Sequence, residues 1–205
     1  MTLLRLYTDF VCPFCFIAEE STVPRLVAEL DVTLEWHGFE LHPETPRGGM
    51  PLTELFRGAH LPSLHARTKA FGAQFGVRDF DPPDRLRNTR RALAMAEYAR
   101  DQGVLETFRK AAFDAHWRRG KDLEADADLR EIAESVGLPA DAALRAADDR
   151  VMLERVDARQ ALARKSGVSG IPTFDFENVR VSGCQPFEVL AEAARRAGAK
   201  PRGAA

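Results

Sequence analysis

The hydrophobic pattern divides the chain into three stretches. Thr2 to Thr8 alternates, with Leu3, Leu4, Leu6 and Tyr7 supplying bulk, and predicts an opening strand. A helix is expected from Pro13 to about Leu30, because proline is favoured where the first helical N–H would be unpaired anyway. Pro24 should kink that helix. Val32 to Leu41 reads as a second strand, with Val32, Leu34 and Trp36 on one face. Strand, helix, strand implies a right-handed crossover and parallel pairing.

His42 to Pro62 is rich in proline and glycine and reads as a loop. From Leu64 to about Lys165 the pattern turns almost wholly helical, with roughly four or five helices expected. Ser63 and Asp84 are candidate helix starts, and Gly137 is a candidate stop after Leu129, Ile132, Ala133 and Val136. Leu105, Phe108 and Ala112 form a second apolar face, and Met152, Val156 and Ala163 a third. After Gly167, Thr173–Phe176 and Val179–Val181 predict a hairpin turning at Glu177-Asn178. Pro186 opens a last helix carrying Phe187, Leu190, Ala191 and Ala194, and the tail from Gly198 is expected to be disordered. The expected architecture is α/β: residues 1–62 and 166–205 form one discontinuous sheet domain, and 63–165 a large all-helical insertion.

A formal net charge of -2 gives no field that would draw nucleic acid or an anionic membrane. No apolar run approaches the about 18 residues needed to span a bilayer. The N-terminus has no basic stretch followed by an apolar core, and an initiating Met1 leads us to expect a cytoplasmic protein. The three cysteines, Cys12, Cys15 and Cys184, are too few for a secreted disulfide scaffold.

Cys12-Pro13-Phe14-Cys15 at a helix start is the strongest chemical signal. A thiolate there faces unpaired N–H groups and the positive end of the helix dipole. The two-residue spacing lets the second sulfur close a ring, so Cys12 would attack a substrate disulfide and Cys15 would resolve the mixed disulfide. Half of a zinc site is the competing reading, but a second ligand pair is missing, so no metal is expected. Two packed cysteines without function are the other alternative. Asp9 and Glu19 flank the motif; either could accept a proton from Cys15, while for Asp9 a helix-capping role is favoured. The five histidines show no i, i+4 pair that would suggest a metal face.

Tyr7-Thr8-Asp9-Phe10-Val11-Cys12-Pro13-Phe14-Cys15, followed far downstream by Gly170-Ile171-Pro172-Thr173-Phe174, resembles the DsbA-type thioredoxin superfamily. Val181-Ser182-Gly183-Cys184-Gln185-Pro186 is similar to the pattern of its FrnE-like, cytoplasmic branch. The resemblance implies a thioredoxin-like fold. It also implies that Pro172 is cis against the Cys12 sulfur, and that the peptide groups of Ile171 pair with an extended substrate. Pro13 and Phe14 would complete the substrate-binding surface. Phe14 departs from the tryptophan that many FrnE-like members carry, which bears on the redox poise. Cys184 stands where that branch usually has alanine. Its surroundings also resemble the Gly-Gly-Cys segment of glutaredoxins, which would make glutathione a co-substrate. A small buried hydrophobe is the favoured reading, leaving Cys184 at most an accessory residue.

The leading expectation is therefore a thiol–disulfide oxidoreductase or isomerase acting on protein or small-molecule thiols and disulfides. A glutathione-dependent isomerase or transferase, of the kappa-class or 2-hydroxychromene-2-carboxylate isomerase type, is the alternative; those enzymes carry serine at the first motif position. A peptide-binding holdase is a third.

Overall fold

A computed structural model describes residues 1–58 and 60–203. Its main sheet has four strands in the order β2-β1-β5-β6. Strand β1 (Thr2–Thr8) and β2 (Val32–Gly38) pair in parallel, with Leu6 opposite Trp36. The chain returns after the helical region as β5 (Thr173–Phe176), antiparallel to β1 with Leu6 opposite Phe174. Strand β6 (Val179–Ser182) completes the hairpin. Glu177 takes the left-handed turn position at φ 63°. β1 is central and contributes the fully buried Leu4 and Leu6, which is why its pattern is so apolar.

The first helical segment is two helices, α1 (Pro13–Glu20) and α2 (Thr22–Glu29), rather than one kinked helix. The break falls at Ser21. A continuous helix would drive the Pro24 ring into the carbonyl of Glu20. Restarting at Thr22 places Pro24 in the first turn of α2, where no N–H is needed. Ser21 and Thr22 hydroxyls donate back to the carbonyls of Ile17 and Ala18.

β2 stops at Gly38, short of the expected Leu41. The Phe39 N–H still donates to the Thr8 carbonyl at 2.9 Å, and the next two amides turn to side chains: Glu40 N–H donates to Gln160 Oε1 at 2.9 Å, and Leu41 N–H to Asp9 Oδ2 at 2.7 Å.

The expected loop between 42 and 62 contains structure. β3 (Met50–Pro51) pairs antiparallel with β4 (Arg85–Leu86), and α3 (Leu52–Leu55) and α4 (Leu61–Gln74) lie between them. The helical region is thus interrupted by one short strand. Ser63 sits inside α4, whose cap is His60. Asp84 starts no helix; its carbonyl accepts the Leu52 N–H at 2.9 Å. Gly49 precedes β3 at φ +71°, and a Cβ there would meet the Leu86 carbonyl oxygen at 2.3 Å, so only glycine lets the two strands approach.

Five more helices follow: α5 (Arg90–Asp101), α6 (Leu105–Trp117), α7 (Asp126–Ser135), α8 (Ala140–Ala147) and α9 (Arg150–Lys165). Gly137 closes α7 as expected, at φ 76°. α10 (Phe187–Arg196) covers the sheet with Phe187, Leu190, Ala191 and Ala194 buried.

One continuous apolar core joins the sheet to the helical region. α6 supplies Phe113, edge-on to Phe10 at 5.1 Å, and Trp117, stacked on Phe16 at 5.6 Å. The tail is ordered as far as the described residues reach, against expectation. Pro201 bridges to Leu30, and the Arg202 N–H donates to the Glu29 carbonyl at 2.8 Å. Unsatisfied backbone groups at the end of α2 give these residues partners.

Candidate active site

Cys12 is the N-cap of α1, so it sits where the strand ends and the helix begins. Its own sulfur does the capping: the Cys15 N–H donates to Cys12 Sγ at 3.4 Å. The first turn of α1 contains no acidic residue, so nothing neutralises the positive end of its dipole before it reaches the sulfur. Asp9 does not cap this helix. Its backbone carbonyl accepts the Cys12 N–H at 3.1 Å, while its carboxylate turns the other way to the Leu41 amide.

Cys12 is 1% exposed and Cys15 fully buried. Burial, then the hydrogen bond and charge of Cys12, push the Cys15 thiol well above its ordinary range. Asp9 lies close enough to act in both senses: a hydrogen bond with its backbone opposes the shift and its charge adds to it. Its own carboxyl is fully buried, with Oδ1 lacking any hydrogen-bond partner. Desolvation raises the Asp9 pKa to about 6, offset only in part by the Leu41 amide. Glu19 is placed differently: it forms a buried ion pair with Arg109 of α6 at 3.1 Å.

The second segment arrives across the sheet. The Ile171–Pro172 bond is cis, and the Ile171 carbonyl oxygen lies 3.9 Å from Cys12 Sγ. Thr173 Oγ1 donates to the Gly170 carbonyl at 2.7 Å, and Gly183 N–H to the Pro172 carbonyl at 2.7 Å. These two bonds brace the turn from both sides. Cys184 follows Gly183 directly and is half-buried. Its thiol is pushed up to about 12, first by burial and then by the charge of Cys12, which places it in the electrostatic reach of the motif. Cys12, Cys15 and Cys184 are all free thiols.

Cys12, Pro13, Phe14 and Ile171 line one side of a cavity of about 450 Å³. The β3-α3-α4-β4 excursion contributes further lining, including Leu52, Leu55 and Leu64. Phe14 is held edge-on to Phe71 of α4 at 5.1 Å. The cavity wall is what sequence reasoning missed. Arg85 and His116 also line it and were not singled out. The available signal was the run of leucines in a proline-rich stretch, with no strand or long helix to bury them. His116 is buried, which pushes its pKa down to about 4 and keeps the imidazole neutral. Its Nδ1 lies 3.3 Å from the Lys121 carbonyl oxygen, leaving Nε2 as the acceptor nitrogen. Among the described residues, no three His, Cys, Asp or Glu side chains gather as a metal-binding group.

The model of the DSBA-like thioredoxin domain matches residues 3–195. The chain belongs to this family. Solved structures with the same fold include the probable DsbA oxidoreductase SCO1869 from Streptomyces coelicolor. It is 24% identical, with a TM-score of 0.83 over 96% of this chain and 90% of that one. A 2-hydroxychromene-2-carboxylate isomerase matches at 18% identity and a TM-score of 0.75, covering 95% of each chain. The cytosolic disulfide reductase DsbM from Pseudomonas aeruginosa, solved with glutathione, matches at 16% identity and a TM-score of 0.67, again over 95% of each chain. The DSBA-like fold thus carries both disulfide chemistry and isomerase chemistry in this group of relatives. Among the described residues, no helix is long and apolar enough to cross a membrane.

Proposed function

We propose that the chain is a dithiol–disulfide oxidoreductase of the FrnE-like branch, working through Cys12 and Cys15. The observation that carries this reading is the Cys15 N–H to Cys12 Sγ bond, formed at the N-terminus of α1 with the Ile171 carbonyl beside the same sulfur. Cys12 attacks one sulfur of a substrate disulfide. The substrate S–S bond breaks and one thiolate leaves. Cys15 then loses its proton, with Asp9 as the nearby acceptor, and attacks Cys12 Sγ. The mixed disulfide breaks, the second substrate thiol is released, and a Cys12–Cys15 disulfide remains. Two electrons pass from the pair to the substrate. In a cytoplasm, whose poise keeps such a pair reduced, the net direction is reduction or isomerisation. Protein disulfides and small-molecule disulfides, glutathione among them, are the substrate classes. Pro13, Phe14, Ile171 and Pro172 form the surface that receives them.

Mass-tag alkylation across a graded dithiothreitol series tests this. A single two-electron transition protecting Cys12 and Cys15 together is expected. Thiols that stay free throughout would reject the reading. Cys12→Ser should abolish disulfide reduction, and Cys15→Ser should accumulate a mixed disulfide at Cys12.

A second reading is favoured by one observation, the apolar cavity beside the first motif position. It is a glutathione-dependent isomerase acting on a small molecule, as the name of the isomerase relative suggests. A Cys12→Ser variant that kept glutathione-dependent turnover would move this reading ahead.

A further inference from the structure

We infer that the Cys12 cavity receives a small disulfide with an apolar, ring-sized body and an anionic group, the anion being held by Arg85. The inference rests on the oxidoreductase reading and names the substrate class of that same site.

Access comes first. Cys12 is 1% exposed, and it lines a cavity that is itself partly open to solvent, with Phe14 and Phe56 exposed at its edge. A disulfide must therefore enter the cavity to meet the sulfur. The volume of about 450 Å³ falls within the range that holds small organic ligands. A strand of a folded protein brings its backbone along with the disulfide, so a sulfur as buried as that of Cys12 is harder for it to reach than for a small molecule.

The chemistry of the walls comes second. Leu52, Leu55, Leu64, Phe14 and Trp117 all line the cavity, so the body of the ligand should be apolar. Among the lining residues none is a carboxylate, and Arg85 is the one permanently charged side chain. Arg85 forms no ion pair among the described residues. Its Nη2 donates instead to the carbonyls of Gly48 and Gly49, both at 3.2 Å. Those bonds fix the guanidinium while leaving its Nε and Nη1 donors for a ligand. The neighbouring Asp84 carboxylate is largely exposed, 3.5 Å from Nε2 of the lining residue His65, and makes no ion pair with Arg85. A guanidinium with spare donors at an apolar pocket suits a carboxylate or similar oxyanion.

In the reaction, Cys12 Sγ bonds to one sulfur of the small disulfide and the first thiolate leaves. Cys15 then displaces the second thiol and closes the Cys12–Cys15 disulfide. Two thiols are released per pair oxidised, and an added dithiol such as dithiothreitol resets the pair.

The test is stopped-flow reduction by the fully reduced protein, with Cys184→Ala as the background so that only two thiols react. Three probes are used: 5,5′-dithiobis(2-nitrobenzoate), which is aromatic with a carboxylate; 2,2′-dithiodipyridine, which is aromatic and neutral; and insulin. Arg85→Gln should slow the carboxylate probe about tenfold or more, the scale of one charge-assisted hydrogen bond, while changing the neutral probe by less than about twofold. Arg85→Lys should recover much of the loss, which separates charge from folding. Leu55→Trp, which fills the cavity, should slow both aromatic probes. Equal losses on the two aromatic probes in Arg85→Gln would overturn the inference. So would insulin reduction as fast as that of the carboxylate probe, or a Leu55→Trp variant of unchanged rate. Failure of the underlying redox reading looks different: a Cys12→Ser variant would react unchanged, or one equivalent of thiol instead of two would be released.

Discussion

The indole N–H of Trp117 donates to the backbone carbonyl of Phe10 at 2.8 Å. Phe10 lies two residues before Cys12, and Trp117 is the last residue of α6. The bond therefore pins the helical region to the segment that presents the Cys12 sulfur. Trp117→Phe would keep the ring stacking on Phe16 but leave a buried carbonyl unsatisfied. Stability should fall by about 1–3 kcal/mol, read from urea unfolding. An unchanged midpoint would show that the bond contributes nothing.

Asp9 gives a pH dependence with a definite sign. Its folded pKa, about 6, is raised above the ordinary value of 3.8. Between these values the folded state holds more protons than the unfolded one, so this group makes stability fall as pH rises through that window. Asp9→Asn should remove the decline and stabilise the protein above pH 6, by an amount on the order of 2–3 kcal/mol. The same variant should lose the rise in the rate of the Cys15 step as pH passes about 6. Denaturant midpoints and single-turnover rates from pH 4 to 8 report both effects. A wild-type stability curve parallel to that of Asp9→Asn would refute the assignment.

The Glu19–Arg109 pair is buried on both sides, with each side chain at most 4% exposed. Removing one partner strands the other charge. Arg109→Leu alone should cost about 3–5 kcal/mol, and adding Glu19→Leu should restore much of that loss. A double-mutant cycle by thermal or chemical unfolding measures the coupling.

Cys184 should stay out of the redox transition. Burial and the Cys12 charge keep its thiol protonated far above neutral pH. Alkylation at pH 8 should label it slowly, and Cys184→Ala should leave the potential of the Cys12–Cys15 pair within about 10 mV, a small fraction of the roughly 30 mV that marks a tenfold change. A Cys12–Cys184 disulfide in oxidised protein, found by peptide mapping, would contradict this.

The parts of the site legible in the sequence are those written locally. Cys12-x-x-Cys15 needs only a helix start, and Pro13 marks it. The strands β1, β2, β5 and β6 each bury residues in simple alternation or in short apolar runs. The Pro24 effect was readable in kind but misplaced by three residues, because the clash falls on Glu20 rather than on the proline. The cavity wall was not legible. Its α3 is four residues long, too short for periodicity, and β3 and β4 have two residues each. Their apolar side chains are explained by the cavity beside Cys12 and by packing against the core, which no local pattern encodes. The ordered tail was missed because its partners are backbone groups of α2, over 160 residues away.

Leu6 stands opposite Phe174 in the sheet, so the two halves of the candidate site, Cys12 and Ile171, meet across a separation of 159 in sequence. A ribosome making this chain from the N-terminus releases Cys12 and Cys15 long before Ile171 and Pro172 exist. Until β5 docks, the pair is exposed to any oxidant without the carbonyl of Ile171 beside it, and the helical region must be synthesised before the sheet can close. The thiols are chemically present early, but the candidate site is complete only once strand β5 has been made and has docked.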